Sequence, residues 1–182
     1  MGSLGTATLT EQGTRDDHGD DLAEFCARTQ RSLVGALSLY LGGDAATAEE
    51  LTNDALIRAI ERWDQVREME RPEAWLFTVA FNLARSRFRR AAAERRAHSR
   101  HAATMARSPV PTADVLAVRE ALGALPVRQR QAVVCRYYLE LSVPETAAVM
   151  GCAPNTAKTH LRDALNALRH HDLGSEEDDS DG

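Results

Sequence analysis

Asn155, Thr156, Lys158, Thr159 and Arg162 stand close together in the stretch SVPETAAVMGCAPNTAKTHLRDALNAL, residues 142 to 168. Amide, hydroxyl and guanidinium groups of this kind read the edges of base pairs, while a lysine holds phosphate. A second set lies in RPEAWLFTVAFNLARSRFRR. There Asn82 is followed by Arg85, Arg87, Arg89 and Arg90, with Phe88 placed where an aromatic could pack or stack on a base. Between residues 85 and 107 eight arginines face one acid, Glu94, for a local balance of +7 that attracts a polyanion. A solvated helix end and linker is the alternative for that run. A solvated helical hairpin is the alternative for residues 142 to 168.

The elements that must hold these groups are helical. Ser142 and Glu145 have capping-box spacing, Pro144 suits a first turn, and Gly151 permits a tight turn. Ala147, Ala148 and Met150 face inward on the first short helix. Ala157, Leu161, Ala164, Leu165 and Leu168 make an apolar stripe on the second, which has only Ala153 as a weak cap. The pair reads as a helix-turn-helix, whose second helix enters the major groove. Upstream, Asp114 is a cap for Val115, Val118, Ala121, Leu122 and Leu125, and Pro126 opens a helix through Val133, Val134 and Tyr137.

The first half repeats the helical pattern. Leu22, Phe25, Cys26, Leu33, Leu37, Tyr40 and Leu41 recur at helical spacing until Gly42-Gly43 breaks it. Asp44 caps a helix whose stripe is Ala48, Leu51, Ala55, Leu56, Ile60 and Trp63, with Glu49, Glu50, Asn53, Asp54 and Arg58 on the wet side. Pro72 starts another, with Trp75, Leu76, Val79, Ala80 and Leu83 inward, to about Arg90. No strand alternation and no Gly-rich phosphate loop occurs, so the expectation is all-α: two small helical domains joined by a flexible linker. Their bounds are 22–91 and 114–171, with the linker at 92–113.

The net charge of −5 is unevenly spread: −4 in residues 1–21, −6 in 172–182, and +5 between them. Both acidic ends are polar and nearly free of large apolar residues, and their composition predicts disorder. The tail either stays solvated or competes with DNA for the basic face. Cys26, Cys135 and Cys152 have no CxxC spacing and read as small core residues, giving neither a disulfide framework nor a metal site. The six histidines form no metal or triad spacing, so neither catalysis nor a cofactor is expected. No run is apolar enough to span a bilayer, and the start lacks a secretory signal; a cytoplasmic protein without a membrane partner is expected.

AEELTNDALIRAIERW, RPEAWLFTVAFNLARSRFRR and EALGALPVRQRQAVVCRYYLELSVPETAAVMGCAPNTAKTHLRDAL, in that order, resemble regions 2.2, 2.3 to 2.4 and 4 of the sigma-70 family of bacterial RNA polymerase sigma factors, in its extracytoplasmic-function (ECF) group. The resemblance covers about residues 22 to 170. It implies a region 2 bundle and a region 4 helix-turn-helix, with promoter DNA and core RNA polymerase as partners. Glu49, Glu50, Asn53, Asp54 and Arg58 would dock on the coiled coil of the polymerase largest subunit, and region 4 on the flap of the second-largest. Asn82 would hold a flipped base at the minus-10 element, with Arg85, Arg87, Arg89 and Arg90 on the backbone. Asn155, Thr156, Lys158, Thr159 and Arg162 would read the minus-35 element. Many relatives also have an anti-sigma factor. Three positions depart from the family pattern: Phe81 before the asparagine, Ala153 at the cap, and Asp163, which would repel phosphate.

NTAKTHLRDALNAL is also similar to the output helix of LuxR-type helix-turn-helix regulators. Those usually carry an α/β receiver or ligand domain in front, which the helical first half does not resemble. A polymerase-binding protein whose second domain does not read DNA is a third reading.

Overall fold

The computed structural model describes residues 9–97 and 113–177, with side chains described over 21–94 and 115–170. Every described element is helical. Helix α1 (Leu9–Tyr40) ends where Gly42 and Gly43 turn the chain at φ 73° and 97°, a region glycine enters without strain. Helix α2 (Ala45–Ile60) is capped by Asp44, whose carboxylate accepts from the Thr47 amide at 3.0 Å. A single turn, α3 (Trp63–Val66), leads to α4 (Pro72–Ala97), opened by its proline as expected. Phe25, Leu33 and Tyr40 of α1 meet Leu51 and Ala55 of α2 and Leu76, Phe77 and Phe81 of α4 in one apolar core.

Four expectations for this half, and one for the acidic tail, need correction. Ile60 is half-exposed and Ala59 is buried in its place, because α2 turns its seam toward α1 and α4 rather than continuing toward Trp63. The seam of α4 runs through Leu76, Phe77, Ala80, Phe81 and Ala84, leaving Trp75, Val79 and Leu83 only partly buried. Helix α4 passes Arg90 and continues to Ala97, into residues expected as linker, since AAAERRA is rich in strong helix formers and elongation is easier than nucleation. For the latter reason α1 also starts at Leu9, inside the acidic segment expected to be disordered, and the last helix reaches Glu177. The rest of the linker, residues 98–112, and the ends 1–8 and 178–182 lie outside the described residues.

The second half begins with α5 (Ala113–Ala124), so Asp114 falls inside the helix rather than capping it. Val115 and Val118, expected to be inward, are half-exposed, whereas Leu122 and Leu125 are buried. Helix α6 (Val127–Val133) follows Pro126 and passes into a π-helical turn, Val134–Tyr138, that leaves Tyr137 mostly outside. Helix α7 (Val143–Met150) carries the full capping box. The Ser142 amide donates to Glu145 Oε2 at 2.8 Å, and the Glu145 amide donates to Ser142 Oγ at 3.4 Å. Its inward face is Thr146, Ala147, Val149 and Met150; Ala148 points out, because Val149 packs toward the first half. Gly151 at φ 64° ends α7 in the left-handed region, and α8 (Pro154–Glu177) follows.

Candidate nucleic-acid interface

Two helices present the residues suited to DNA. Helix α8 is seated by Ala157 and Leu161 against Ala132, Ala147 and Met150. Asn155, Thr156, Lys158, Thr159 and Arg162 are all exposed on the other side. The Thr159 hydroxyl donates to the Asn155 carbonyl at 3.0 Å. Asp163 engages Arg162, accepting from Nε at 3.2 Å and Nη2 at 3.1 Å, so the departure from the family pattern holds the guanidinium beside a carboxylate.

Helix α4 is anchored by aromatics. Phe81 is fully buried and meets Tyr40 edge-on at 5.0 Å, and Phe88 meets the same ring at 5.6 Å. Phe81 is therefore a core residue that fixes the helix, and its neighbour Asn82 is exposed. Arg87, Arg89 and Arg90 are exposed as well. Arg89 donates to Ser86 Oγ at 3.1 Å, and Arg87 reaches Glu50 Oε2 at 2.9 Å. Arg85 is half-buried and donates through Nη2 to the Met150 carbonyl at 3.4 Å. Burial, and after it the neighbouring Arg128 guanidinium, lowers the Arg85 pKa from its ordinary value. The side chains of Arg95, Arg96, Arg100 and Arg107 lie outside the described residues.

On α2, Glu49, Glu50, Asn53, Asp54 and Arg58 are exposed, and Glu49 and Asn53 border a cleft of about 390 Å³ shared with Gln30 and Arg31 of α1. Ile57 and Ile60 lie on this same helix, 52% and 51% exposed, giving an otherwise charged surface an apolar centre suited to a partner. Sequence reasoning missed Ile57 and assigned Ile60 to the core; two isoleucines three apart beside a buried stripe were the available signal. It also missed Arg71, Arg128 and Arg130, whose partners lie far off in sequence. Among the described residues no group of three His, Cys, Asp or Glu could hold a metal, and no helix is long and apolar enough to cross a membrane.

Comparisons with known proteins bear on the family and the fold. Sigma-70 region 2 matches residues 26–94, and Sigma-70, region 4, matches residues 116–168. The ECF RNA polymerase sigma factor EcfG of Rhodopseudomonas palustris is 34% identical over 143 residues, 75% of this chain and 79% of that protein. The ECF RNA polymerase sigma factor SigL of Mycobacterium tuberculosis is 32% identical over 138 residues, 72% and 78% of the two chains. Among solved structures, the sigma factor RpoE of Bartonella quintana, in complex with the anti-sigma factor NepR, superposes with a TM-score of 0.71 at 24% identity, over 82% of this chain and 95% of that one. CnrH in complex with the cytosolic domain of CnrY gives 0.57 at 23% identity, over 88% and 89%. At these identities the structural likenesses speak to the fold.

Proposed function

The chain belongs to the extracytoplasmic-function group of the sigma-70 family, and from that premise we propose that it joins core RNA polymerase, directs it to promoters through minus-35 and minus-10 contacts, and helps open the DNA, with no catalysis of its own. The observation that carries this reading is the exposed row from Asn155 to Arg162 on α8, standing behind a capped and glycine-terminated α7. We assign the minus-35 element to that row, with Asn155, Thr156, Thr159 and Arg162 at base edges and Lys158 on phosphate.

Asn82 is assigned to a base held outside the stack at the minus-10 element. Extrusion of a base costs a few kcal/mol, which a pocket and a basic surface must offset. Arg85, Arg87, Arg89 and Arg90 supply the basic surface. The polar face of α2, from Glu49 to Arg58, is assigned to the coiled coil of the polymerase largest subunit, and the second domain to the flap of the second-largest. The half-exposed Ile57 and Ile60 support a docking face there. An anti-sigma factor is a further proposed partner, supported by the complex in which the Bartonella relative was solved. Such work places the protein in the cytoplasm. A LuxR-type regulator is not favoured, because the first half is helical and matches sigma-70 region 2.

Reconstitution tests the reading. Added to core polymerase, the chain should give transcripts with defined starts, whereas alone it should bind duplex DNA weakly. Tight, specific duplex binding by a free dimer would overturn it.

A further inference from the structure

Asp163 interrupts the row of groups on α8 suited to DNA, and a carboxylate near phosphate costs affinity. Folding gives little reason for it. The Arg162 side chain is 70% exposed and that of Asp163 41%, and an ion pair so open to water adds little stability. Its place on the helix says more. At about 100° per residue, Asn155, Thr159 and Asn166 follow one line along the outer side of α8, opposite the buried Ala157, Leu161 and Ala164. Arg162 leaves the helix on the Lys158 flank of that line and Asp163 on the other flank. The hydrogen bonds between them cross it, which draws the guanidinium toward the middle of the reading face.

Which atoms pair matters more than the pairing itself. Asp163 Oδ1 accepts from Arg162 Nε at 3.2 Å and from Nη2 at 3.1 Å. These two N–H groups form the side edge of the planar guanidinium. The forward edge, made by one N–H of Nη1 and the second of Nη2, is left for another acceptor pair, and its spacing matches O6 and N7 of guanine in the major groove. An arginine without such a partner has several rotatable bonds, and fixing them at a base edge costs side-chain entropy at the moment of binding. A guanidinium held beforehand has lost part of that freedom already. The carboxylate also makes the pair neutral, so Arg162 gains little from phosphate, and what remains to it is the base.

We propose that Asp163 is a positioning residue for base readout: its carboxylate pins the side edge of Arg162 and aims the forward edge at one guanine of the minus-35 element. Promoter choice at that base pair is then set by two residues acting together. The proposal rests on the assignment of α8 to that element.

The test uses holoenzyme reconstituted from core polymerase and the full chain, with minus-35 duplexes taken from a promoter found by transcript-start mapping. Competition against every single-base substitution gives the preference at each position, and a duplex carrying 7-deazaguanine removes the N7 acceptor alone. The parent should prefer guanine at one position by at least about tenfold and lose most of that preference on the 7-deazaguanine duplex. Asp163→Ala should cut the preference there to about threefold and leave the other positions unchanged, with no loss of affinity for the substituted duplexes. Asp163→Asn, which keeps Oδ1 as an acceptor without the charge, should restore most of it. Arg162→Ala should abolish the preference, and adding Asp163→Ala to it should cost nothing more. If both Asp163 variants bind every duplex more tightly by one factor with the preference intact, the carboxylate only repels phosphate and the proposal is overturned. A preference that survives Arg162→Ala would take the arginine out of base readout and overturn it equally. A parent holoenzyme with no base preference anywhere in the minus-35 duplex would instead overturn the assignment of α8, and the proposal with it.

Discussion

The two domains are built from the same element and differ in what lies beneath it. Under α4 is a core of large side chains, with Phe81, Tyr40, Leu76 and Phe77 all buried. Under α8 are two small clusters, one of Ala132, Ala147, Met150, Ala157 and Leu161, the other of Leu122, Leu125, Val133 and Ala164. Much of the remaining apolar surface of the second domain is buried against the first. A core of large side chains seats the helix that carries Asn82, whereas smaller clusters seat α8 with its polar row exposed. Charged groups are engaged on both helices, Arg85 by Met150 and Arg87 by Glu50 on α4 and Arg162 by Asp163 on α8, while Lys158 stands exposed.

The strongest way to break this contrast is by core truncation. Phe81→Ala should cost about 3–5 kcal/mol, while Leu161→Ala, in the shallower cluster, should cost about 2. Urea denaturation followed by circular dichroism would check the difference, and equal losses would mean that the second domain is as deeply packed as the first. Next in size is the reading face: Arg162→Ala should weaken holoenzyme binding to a minus-35 duplex about tenfold, or about 1.4 kcal/mol, with discrimination lost at one base position. Lys158→Ala should weaken all sequences alike and lower the salt slope by about one. Competition binding on single-base-substituted duplexes separates the two effects.

A smaller loss of about 1 kcal/mol is expected for Ser142→Ala, which removes the cap of α7 and touches only the second domain. Thermal unfolding should show it, and no change would mean that α7 is held by packing alone. The smallest effect depends on pH. Hydrogen bonding from the Ser142 hydroxyl and amide holds the Glu145 carboxyl below the usual range. Its folded pKa is depressed, so this stabilisation is complete above the unfolded value, about 4.3, and is lost as pH falls through the folded value. Between about pH 5 and pH 3 the parent should lose more stability than Glu145→Gln, which does not titrate. Parallel curves for the two would remove Glu145 from the account.

Local signals carried much of the fold. The Asp44 cap, the Gly42-Gly43 break, the Pro72 start, the Ser142–Glu145 box and the Gly151 turn each depend on a few adjacent residues, and the backbone obeys them. What sequence could not supply was register fixed by distant contacts. Val149 rather than Ala148 turns inward because the first domain lies on that side, and Arg85 finds a carbonyl 65 residues away. The π-helical turn at Val134–Tyr138 had no local signature among apolar residues that would serve an α-helix equally well. Phe81 looked anomalous beside Asn82 only until its burial against Tyr40 was known. Of the candidate site, the exposure of the α8 row was legible from periodicity, whereas the pairing of Glu50 with Arg87 was not.

The central claim is that α4 and α8 read separate elements of one promoter while mounted on core polymerase. Photocrosslinking in the reconstituted holoenzyme tests it most directly, with a benzophenone side chain placed at Ser86 or at Thr156 and the crosslinked bases mapped on a promoter found by transcript-start mapping. The account predicts crosslinks from position 86 to the non-template strand near −10 and from position 156 near −35, about 25 base pairs apart. Crosslinks from both positions to a single element would contradict it.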